Sequence, residues 1–163
     1  MTASVLDIRE AADGAQRARE LFRRHFGDDP PSFPHHVIAF HRDASGIETP
    51  ACYVHFTPVA DLLLGGGACV DRRAMRTMAA DLRERIRAAG GLYRLTLEWA
   101  VRHFAPGYKA IFGYCGDALA ERVDLAAGFE PTGHAHLLVH WTGALAAAER
   151  ARLVAQAHAI GPF

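Results

Sequence analysis

The sequence has no excess of charge of either sign, because 18 lysines and arginines balance 18 aspartates and glutamates. A balanced chain gives no reason to expect a nucleic-acid partner attracted by bulk charge. No apolar run is long enough to span a bilayer, so we expect no membrane partner. The first ten residues, MTASVLDIRE, lack the charged and then apolar pattern of a secretory signal. These absences predict a cytoplasmic protein.

Cysteine is scarce. The three cysteines, Cys52, Cys69 and Cys115, are odd in number and widely spaced, which favours reduced, buried thiols over a disulfide framework. No internal repeat or linker interrupts the 163 residues, half of which are hydrophobic. A chain of this length can bury one substantial core, so we predict a single domain over residues 1–163.

The chain does contain regular apolar periodicities that predict its elements. Strands are predicted over Val5–Ile8, His36–Arg42, Pro50–Thr57, Leu62–Val70, Tyr108–Cys115 and His134–Thr142. Helices are predicted over Asp13–Phe26, Arg72–Ala89, Leu92–Phe104, Ala118–Ala127 and residues 144–160, and the segment Ser32–Pro34 is expected to be irregular. An antiparallel meander followed by alternating strands and helices predicts an α/β fold. Its central sheet is mixed and mostly antiparallel, with helices on both faces.

A glycine triplet, Gly65 to Gly67, interrupts the apolar strand Leu62–Val70. Glycine weakens a strand, so such a triplet marks either a bulge that curves the sheet or a place where a ligand approaches the backbone. The sequence leaves both interpretations open.

A compact unit follows the aromatic-rich strand Tyr108–Cys115. Asp117 is a good N-cap for the next helix, and Gly128 is a typical stop. Apolar residues recur at helical spacing and are expected to face inward: Leu119, Val123, Ala126 and Ala127.

The segment Asp117–Phe129 resembles the last conserved block of the GNAT superfamily, the acyl-CoA-dependent N-acyltransferases. In that block a strand ends in Asn, Ala follows three residues later, and Tyr stands four residues before a terminal Gly-Phe. Ala120, Gly128 and Phe129 occupy the matching positions. Asp117 stands in place of the Asn, and Asp124 stands in place of the Tyr.

The resemblance extends to the element order across nearly the whole chain, with one added helix, Arg72–Ala89, after the central strand. It implies a GNAT-like fold, acetyl-CoA or another acyl-CoA as cofactor, and acyl transfer to a small amine. An alternative function, binding of a cofactor or metabolite without catalysis, is compatible with the same fold. The protein could also form a homodimer.

The pyrophosphate loop of such proteins begins with Arg or Gln and places small residues at the start of a helix, where backbone amides and the helix dipole favour an anion. Here the run from Arg87 to Leu92 supplies an arginine and two glycines, although Leu92 replaces the last small residue. The resemblance implies these cofactor-binding residues: Cys69, Val70, Arg87, Gly90, Gly91, Leu92 and Tyr93. Seven arginines between Arg72 and Arg94 would complement phosphates. The same features also suit a plain link between two helices with a solvated basic face.

Acyl transfer requires a base or ordered water for the amine and an acid for the departing thiolate. His55 is a candidate base on the second hairpin strand, and a structural histidine is the alternative. By the resemblance the acid stands at the position of Asp124, and Tyr114 or Cys115, at the end of the neighbouring strand, could substitute for it. Asp117, at the Asn position, completes the candidate catalytic residues. An ionised Asp124 could not donate a proton unless burial raised its pKa.

Three histidines, His134, His136 and His140, are predicted to share one strand face. A His-x-His pair on a strand can chelate a metal. No nearby Cys or carboxylate completes the set, so we expect a stripe that faces solvent or substrate and no metal site. A histidine-rich metal-binding protein is the third class that the sequence leaves open.

Overall fold

The computed structural model describes residues 4–32 and 35–163. Its strands are β1 (Val5–Glu10), β2 (His35–Arg42), β3 (Glu48–Val59), β4 (Leu62–Val70), β5 (Ala110–Tyr114), β6 (Glu130–Pro131) and β7 (Leu137–Trp141). Its helices are α1 (Gly14–Arg17), α2 (Arg19–Phe26), α3 (Arg72–Thr77), α4 (Ala80–Ala88), α5 (Leu92–Phe104), α6 (Ala118–Ala126) and α7 (Ala147–Ile160), and a short 3-10 helix covers Ala105–Gly107. Two residues of the segment predicted to be irregular, Phe33 and Pro34, lie outside the described residues.

The strands form one mixed sheet in the order β1-β2-β3-β4-β5-β7-β6. The pairs β1–β2, β5–β7 and β6–β7 are antiparallel, and β4–β5 is parallel. A parallel pair needs a crossover connection, which here contains α3, α4 and α5. The predicted mixed, mostly antiparallel sheet with flanking helices is therefore confirmed.

The chain divides into two compact units. The first contains Met1–His55 and Gly67–Ala100, and the second contains Phe56–Gly66 and Val101–Phe163. The chain passes from one unit to the other within β3, β4 and α5. That residues 1–163 form a single domain stays a prediction.

Strand residues of the first unit alternate between two apolar clusters, as the period-two geometry of a strand requires. The first cluster, here called the α2 cluster, contains Ala11, Ala18, Leu21, Phe22, Ile38, Phe40, Tyr53 and Cys69. The second, the α4 cluster, contains Ala39, Ala51, Cys52, Ala74, Met78, Leu82, Ile86 and Leu92. Neighbours in sequence such as Cys52 and Tyr53 lie in different clusters, so this part of the sheet carries helices on both faces.

The core of the second unit lies between three strands and α7. Alternate residues of β4, β5 and β7 point to one side, where α7 contributes Leu153 and Ala157, one turn apart and both fully buried. The strand members of this cluster are Leu62, Leu64, Ala110, Phe112, Leu137 and Val139. Full burial of a side chain the size of Phe112 stabilises the fold by roughly 2–3 kcal/mol.

The predicted helix Asp13–Phe26 is two helices that meet at Ala18. Ala18 has φ −90° and ψ −1°, and it is fully buried in the α2 cluster. The hydrogen bonds from Ala18 N–H to Gly14 O and from Phe22 N–H to Ala18 O are both 2.9 Å long. The prediction of one uninterrupted helix is wrong at this residue, although the ladder of hydrogen bonds continues through it.

The predicted helix Arg72–Ala89 is also wrong as a single element. α3 ends at Thr77, and Met78 and Ala79 are extended, with ψ near 149° and 148°. The Thr77 hydroxyl donates to the carbonyl of Ala74 at 2.8 Å, and a side chain that bonds its own turn competes with helix continuation. The break places Met78 in the α4 cluster with Leu82 and Ile86 of α4.

The predicted strand His134–Thr142 starts three residues late, at Leu137. His136 has a φ of +67°, which a strand does not allow, and Leu137 N–H donates back to His134 O at 3.3 Å. His134 and His136 therefore lie in a turn. The prediction that they share a strand face with His140 is wrong.

The inward face of α6 differs from the predicted one. Leu119, expected to be buried, is 61% exposed, whereas Asp124 is 3% exposed. A polar side chain therefore faces the sheet where the apolar pattern predicted a hydrophobic one, and this helix becomes part of the candidate site.

Candidate active site

The turn at Gly90 and Gly91 joins α4 to α5. Both glycines have positive φ, +94° and +104°, a backbone conformation that glycine adopts without the strain that a side chain would add. Gly90 N–H donates to Arg87 O at 3.0 Å and Gly91 N–H donates to Ile86 O at 2.9 Å, while Gly91 O accepts from Leu95 N–H at 3.2 Å. Both glycine amides are thus used within the turn, and an anion would meet the first-turn amides of α5.

Arginine side chains surround this turn. Arg87 is 78% exposed and forms an ion pair with Glu84. Arg94 Nε donates to Glu98 at 2.8 Å, and its aliphatic part packs beside Gly90. Three more arginines on α3 are exposed and make no ion pair with any described residue: Arg72, Arg73 and Arg76. The positive charge predicted for this region is present and accessible to solvent.

The predicted cofactor-binding residues of β4 point to opposite faces of the sheet. Val70 packs against the α4 cluster together with Tyr93, and Leu92 is a buried member of that cluster. Cys69 lies in the α2 cluster, where burial raises its pKa to about 12. The structure therefore places Val70, Leu92 and Tyr93 with the glycine turn and places Cys69 on the other side of the strand.

The glycine triplet of β4 coincides with the end of its parallel pairing. The register runs from Leu62–Ala110 to Gly65–Gly113, and β4 continues to Val70. A Cβ at Gly65 would lie 2.9 Å from Phe56 Cε1. Gly67 has a φ of +54°, and a Cβ there would lie 2.7 Å from His55 Nδ1. Close packing, besides sheet curvature, requires these two glycines.

His55 lies over Gly67, within the aromatic side of the first unit. Its ring centroid is 6.2 Å from that of Phe22 and 5.9 Å from that of Tyr53. Its Nδ1 is buried and has no hydrogen-bond partner among the described residues. Burial, with a smaller contribution from His36, lowers the pKa of His55 to about 4. His55 is therefore a neutral imidazole at neutral pH.

The sequence analysis did not identify a buried polar pair, His36 and Tyr53, that lies beside His55. His36 Nδ1 and the Tyr53 hydroxyl are 2.8 Å apart, and both side chains are at least nine-tenths buried. Burial lowers the pKa of His36 and raises that of Tyr53. The alternation of His36 with Val37 and of Tyr53 with Val54 was the available signal, since it places both polar residues on the α2 face.

A buried thiol–carboxylate pair links β5 to α6 in the second unit. Cys115 Sγ donates to Asp124 Oδ2 at 2.9 Å, and a Cβ at Gly113 would lie 2.9 Å from the same oxygen. Burial, followed by the hydrogen bond and the negative charge of Asp124, raises the pKa of Cys115. The thiol therefore stays protonated and is not a nucleophile at neutral pH.

The other two predicted catalytic residues of this unit lie apart from that pair. Tyr114 points to the opposite face of β5, where its ring is 5.9 Å from His136 and 6.0 Å from Phe163. Asp117 is exposed and caps α6, accepting from Leu119 N–H at 2.9 Å and from Ala120 N–H at 2.8 Å. The structure thus brings Cys115 and Asp124 together and gives Asp117 a capping role.

The histidine stripe is dispersed. His134 stacks on His158 with ring centroids 3.7 Å apart, His136 lies near Tyr114, and His140 lies 5.5 Å from Phe129. Within residues 4–32 and 35–163, no three His, Cys, Asp or Glu side chains are grouped so that they could hold a metal ion. No helix in the same residues has the length and apolar character that crossing a membrane requires.

The parallel β4–β5 pair between antiparallel strands, with a helical crossover and a glycine turn before α5, defines an α/β fold class known from solved structures. The ribosomal-protein-S18-alanine N-acetyltransferase of Escherichia coli superposes with a TM-score of 0.58 at 12% identity, over 88% of this chain and 97% of that one. A GNAT-family acetyltransferase of Brucella melitensis, in complex with acetyl-CoA, superposes with a TM-score of 0.50 at 10% identity, over 86% of this chain and 90% of that one. No protein-family model matches the chain, and no curated protein sequence matches it. The chain has the GNAT fold, as its sequence predicted.

Proposed function

We propose that this protein is an acyl-CoA-dependent N-acyltransferase that transfers an acetyl group to a small amine. The observation that carries the proposal is the glycine turn at Gly90 and Gly91, which opens α5 next to the end of β4 in a GNAT fold. Solved structures of this fold include acetyltransferases and one complex with acetyl-CoA.

The residues at this turn fit a diphosphate. The first-turn amides of α5 and the exposed guanidinium of Arg87 supply donors and positive charge. Val70 and Tyr93 pack beside the turn, so an arm that follows β4 backward from Val70 reaches Gly67, three residues or about 10 Å away. Acyl-CoA supplies a thioester there: the amine nitrogen bonds to its carbonyl carbon, the carbon–sulfur bond breaks with its electron pair on sulfur, and the amine proton passes to solvent.

The residues of the second unit do not provide a strong acid for the thiolate. Cys115 donates a hydrogen bond to Asp124 in a buried pair, and Tyr114 lies on the other face of β5. A coenzyme A thiol resembles a free cysteine, whose pKa is about 8.5, so it can leave as the thiolate at a moderate cost in rate. We therefore expect slow transfer.

A cofactor- or metabolite-binding protein without catalysis is the second candidate. It is favoured by Asp124, which occupies the position of the family's usual Tyr and is engaged with Cys115. Binding of acetyl-CoA without any acylated amine product, tested over a panel of small primary amines by mass spectrometry, would favour this candidate.

The thermal unfolding midpoint with and without acetyl-CoA tests cofactor binding. A ligand that binds only the native state raises the midpoint, and at a hundred times its Kd it adds about 2.7 kcal/mol of stability. We expect Arg87→Ala to reduce this shift while leaving the unliganded midpoint nearly unchanged, because its ion pair with Glu84 is exposed.

Arg85→Ala is the matched control, since Arg85 lies on the same helix, is 68% exposed and pairs with Asp81. Its ligand-induced shift should equal that of the wild type. If millimolar acetyl-CoA does not shift the unfolding midpoint of the wild type, both the assignment of acyl-CoA as cofactor and the assignment of the protein as an acyltransferase are wrong.

A further inference from the structure

A cleft of about 730 Å³ lies within the first unit, where residues of α1, α2 and α3 surround it. Its volume is in the range of small-molecule sites, about 300–1,000 Å³. Leu21 and Ala74 are buried and Pro50 is half-buried, and these three side chains form an apolar floor. The proposed acyl transfer does not use this cleft.

The buried carboxylate of Asp71 organises one end of the cleft. Its side chain is only 9% exposed. Asp71 is the N-cap of α3, where its Oδ1 accepts the Arg73 backbone N–H at 2.8 Å. Its Oδ2 accepts from Arg24 Nη2 at 2.7 Å. One carboxylate therefore positions an arginine of α2 beside the first turn of α3, and each of its oxygens already accepts a hydrogen bond.

Two guanidinium groups at this end can bind an anion. Arg24 Nη1 lies 3.9 Å from Glu20 Oε2, which is too far for a hydrogen bond, so this nitrogen can donate to a ligand. The Arg73 side chain lines the cleft, is exposed, and makes no ion pair with any described residue. Arg17, the third guanidinium of the lining, is instead engaged by Glu48 at 3.2 Å. A fork of two arginines fits a carboxylate group.

Carboxylates balance these cations along the rest of the cleft. Asp13, Glu20 and Asp71 stand against the three arginines, so the lining has no net formal charge and does not favour a multiply charged anion. The Glu20 side chain is 92% exposed, and it lies one helical turn from Arg24, at a spacing where side chains are about 5–6 Å apart. Among the described residues, no three His, Cys, Asp or Glu side chains are grouped to hold a metal ion. The free carboxylate of Glu20 therefore fits an organic cation.

We propose that the cleft binds a small zwitterion with an apolar side chain, which is the chemistry of an α-amino acid. Its carboxylate is held by Arg24 and Arg73, and its ammonium contacts Glu20. Its side chain covers the floor formed by Leu21 and Ala74. An α-amino acid carries both charged groups on one carbon, so residues one helical turn apart can contact both. The site is independent of acyl transfer, because it uses neither the glycine turn nor acyl-CoA.

NMR titration of the 15N-labelled full chain with three probes tests the site. L-phenylalanine carries both charges, 3-phenylpropionate lacks the ammonium, and 2-phenylethylamine lacks the carboxylate. We expect L-phenylalanine to shift the backbone amides around Glu20, Arg24 and Arg73 with a Kd of about 1 mM or lower. Each of the other two should bind at least about tenfold more weakly, because each loses one charge-assisted contact. Absence of a saturable shift with L-phenylalanine would overturn the proposal, and equal binding of either analogue, or tighter binding of inorganic phosphate, would contradict the zwitterion.

Substitution of two exposed charges distinguishes the two ends of the ligand. Arg73→Gln should weaken binding of L-phenylalanine and 3-phenylpropionate by about tenfold and leave that of 2-phenylethylamine unchanged, whereas Glu20→Gln should weaken only L-phenylalanine and 2-phenylethylamine. Arg72→Gln is the matched control, since Arg72 is exposed on the same helix but lies outside the lining of the cleft. It should bind all three probes as the wild type does. Equal losses in Arg73→Gln and Arg72→Gln would show a general effect of positive charge, and the assignment of the cleft as the site would be wrong.

Discussion

Single residues decide the packing around His55, and Gly67 is the most restricted of them. A Cβ added at this position would clash with the His55 ring. An alanine there would also have to adopt a φ of +54°. We expect Gly67→Ala to destabilise the protein by about 2–4 kcal/mol, combining backbone strain with overpacking. Urea unfolding measures the change.

Gly27→Ala is the control for backbone strain alone. Gly27 ends α2 with a φ of +79° and has no atom within 4 Å of an added Cβ among the described residues, so its substitution should cost about 1 kcal/mol. Equal losses for the two glycine variants would show that the His55 ring moves aside freely.

Asp124 is the second residue with a specific expectation. In Asp124→Asn the amide oxygen can still accept from Cys115, but the new NH₂ group is buried at a site that is 3% exposed. An unsatisfied buried donor costs about 1–3 kcal/mol, so the unfolding free energy should fall by that amount. The turnover of the folded variant should change less than about tenfold, because the carboxylate is buried and accepts a hydrogen bond from the Cys115 thiol.

A loss of a thousandfold or more in the turnover of Asp124→Asn, with acetyl-CoA binding intact, would show that Asp124 works directly in catalysis. Cys115→Ser is the control for the hydrogen bond to Asp124. It keeps a donor to the carboxylate and should reproduce wild-type turnover.

At the level of elements, the cap of α6 is the simplest feature to test. Asp117 accepts two backbone N–H bonds at the start of this helix. Loss of an N-cap costs about 0.5–2 kcal/mol, and Asn caps about as well as Asp. Asp117→Ala should therefore lower the unfolding free energy by about 1 kcal/mol, while Asp117→Asn should leave it nearly unchanged. Equal effects of the two changes in urea unfolding would show that the cap hydrogen bonds contribute little.

Elements with one strong local signal were predictable from sequence. β4 and α5 have the predicted bounds, Leu62–Val70 and Leu92–Phe104, because an apolar run and a glycine stop delimit them. The break at Met78 was not predictable, since no Gly or Pro marks it and the Thr77 side-chain bond that accompanies it depends on conformation. The two-residue strand β6 is too short to have a periodicity.

The helix α6 shows why the spacing of apolar residues did not predict the buried Cys115–Asp124 pair. Its apolar spacing placed Leu119 inward, yet the buried residue is Asp124. The Asp124 face of the helix packs toward β5, where the Cys115 thiol donates a hydrogen bond to the carboxylate. Gly113, which has no side chain, leaves room for that carboxylate. Such tertiary pairing overrides helical propensity, and one sequence does not contain it in any local window.

At the level of the whole molecule, the family resemblance predicted the sheet because topology survives wide divergence in sequence. The last block matched at Ala120, Gly128 and Phe129, and the fold it implied is confirmed at identities of only 10–12%. The surroundings of His55 were not predictable in the same way. They depend on His36, Tyr53 and Gly67, which come from three different strands.

The pH dependence of global stability follows from the buried histidines. Burial lowers the pKa of His55 from 6.5 to about 4, and those of His36 and His140 are lowered as well. Between the ordinary histidine pKa of 6.5 and the lowered pKa of the buried histidine, the unfolded chain binds more protons than the native state. The free energy of unfolding therefore falls as the pH falls. His55 alone should remove about 2 kcal/mol between pH 7 and pH 5.

Urea midpoints at pH 7 and pH 5 measure this loss, and His55→Gln should make the dependence flatter, because glutamine does not titrate. His25→Gln, at an exposed position on α2, should leave it as steep as in the wild type. The lowered pKa values of Glu48 and Glu149, both about 2, act only at lower pH, where carboxylates in the unfolded chain take up protons. A wild-type midpoint that does not change between pH 7 and pH 5 would mean that His55 is solvated in solution, and the argument for its enclosed Nδ1 would fail with it.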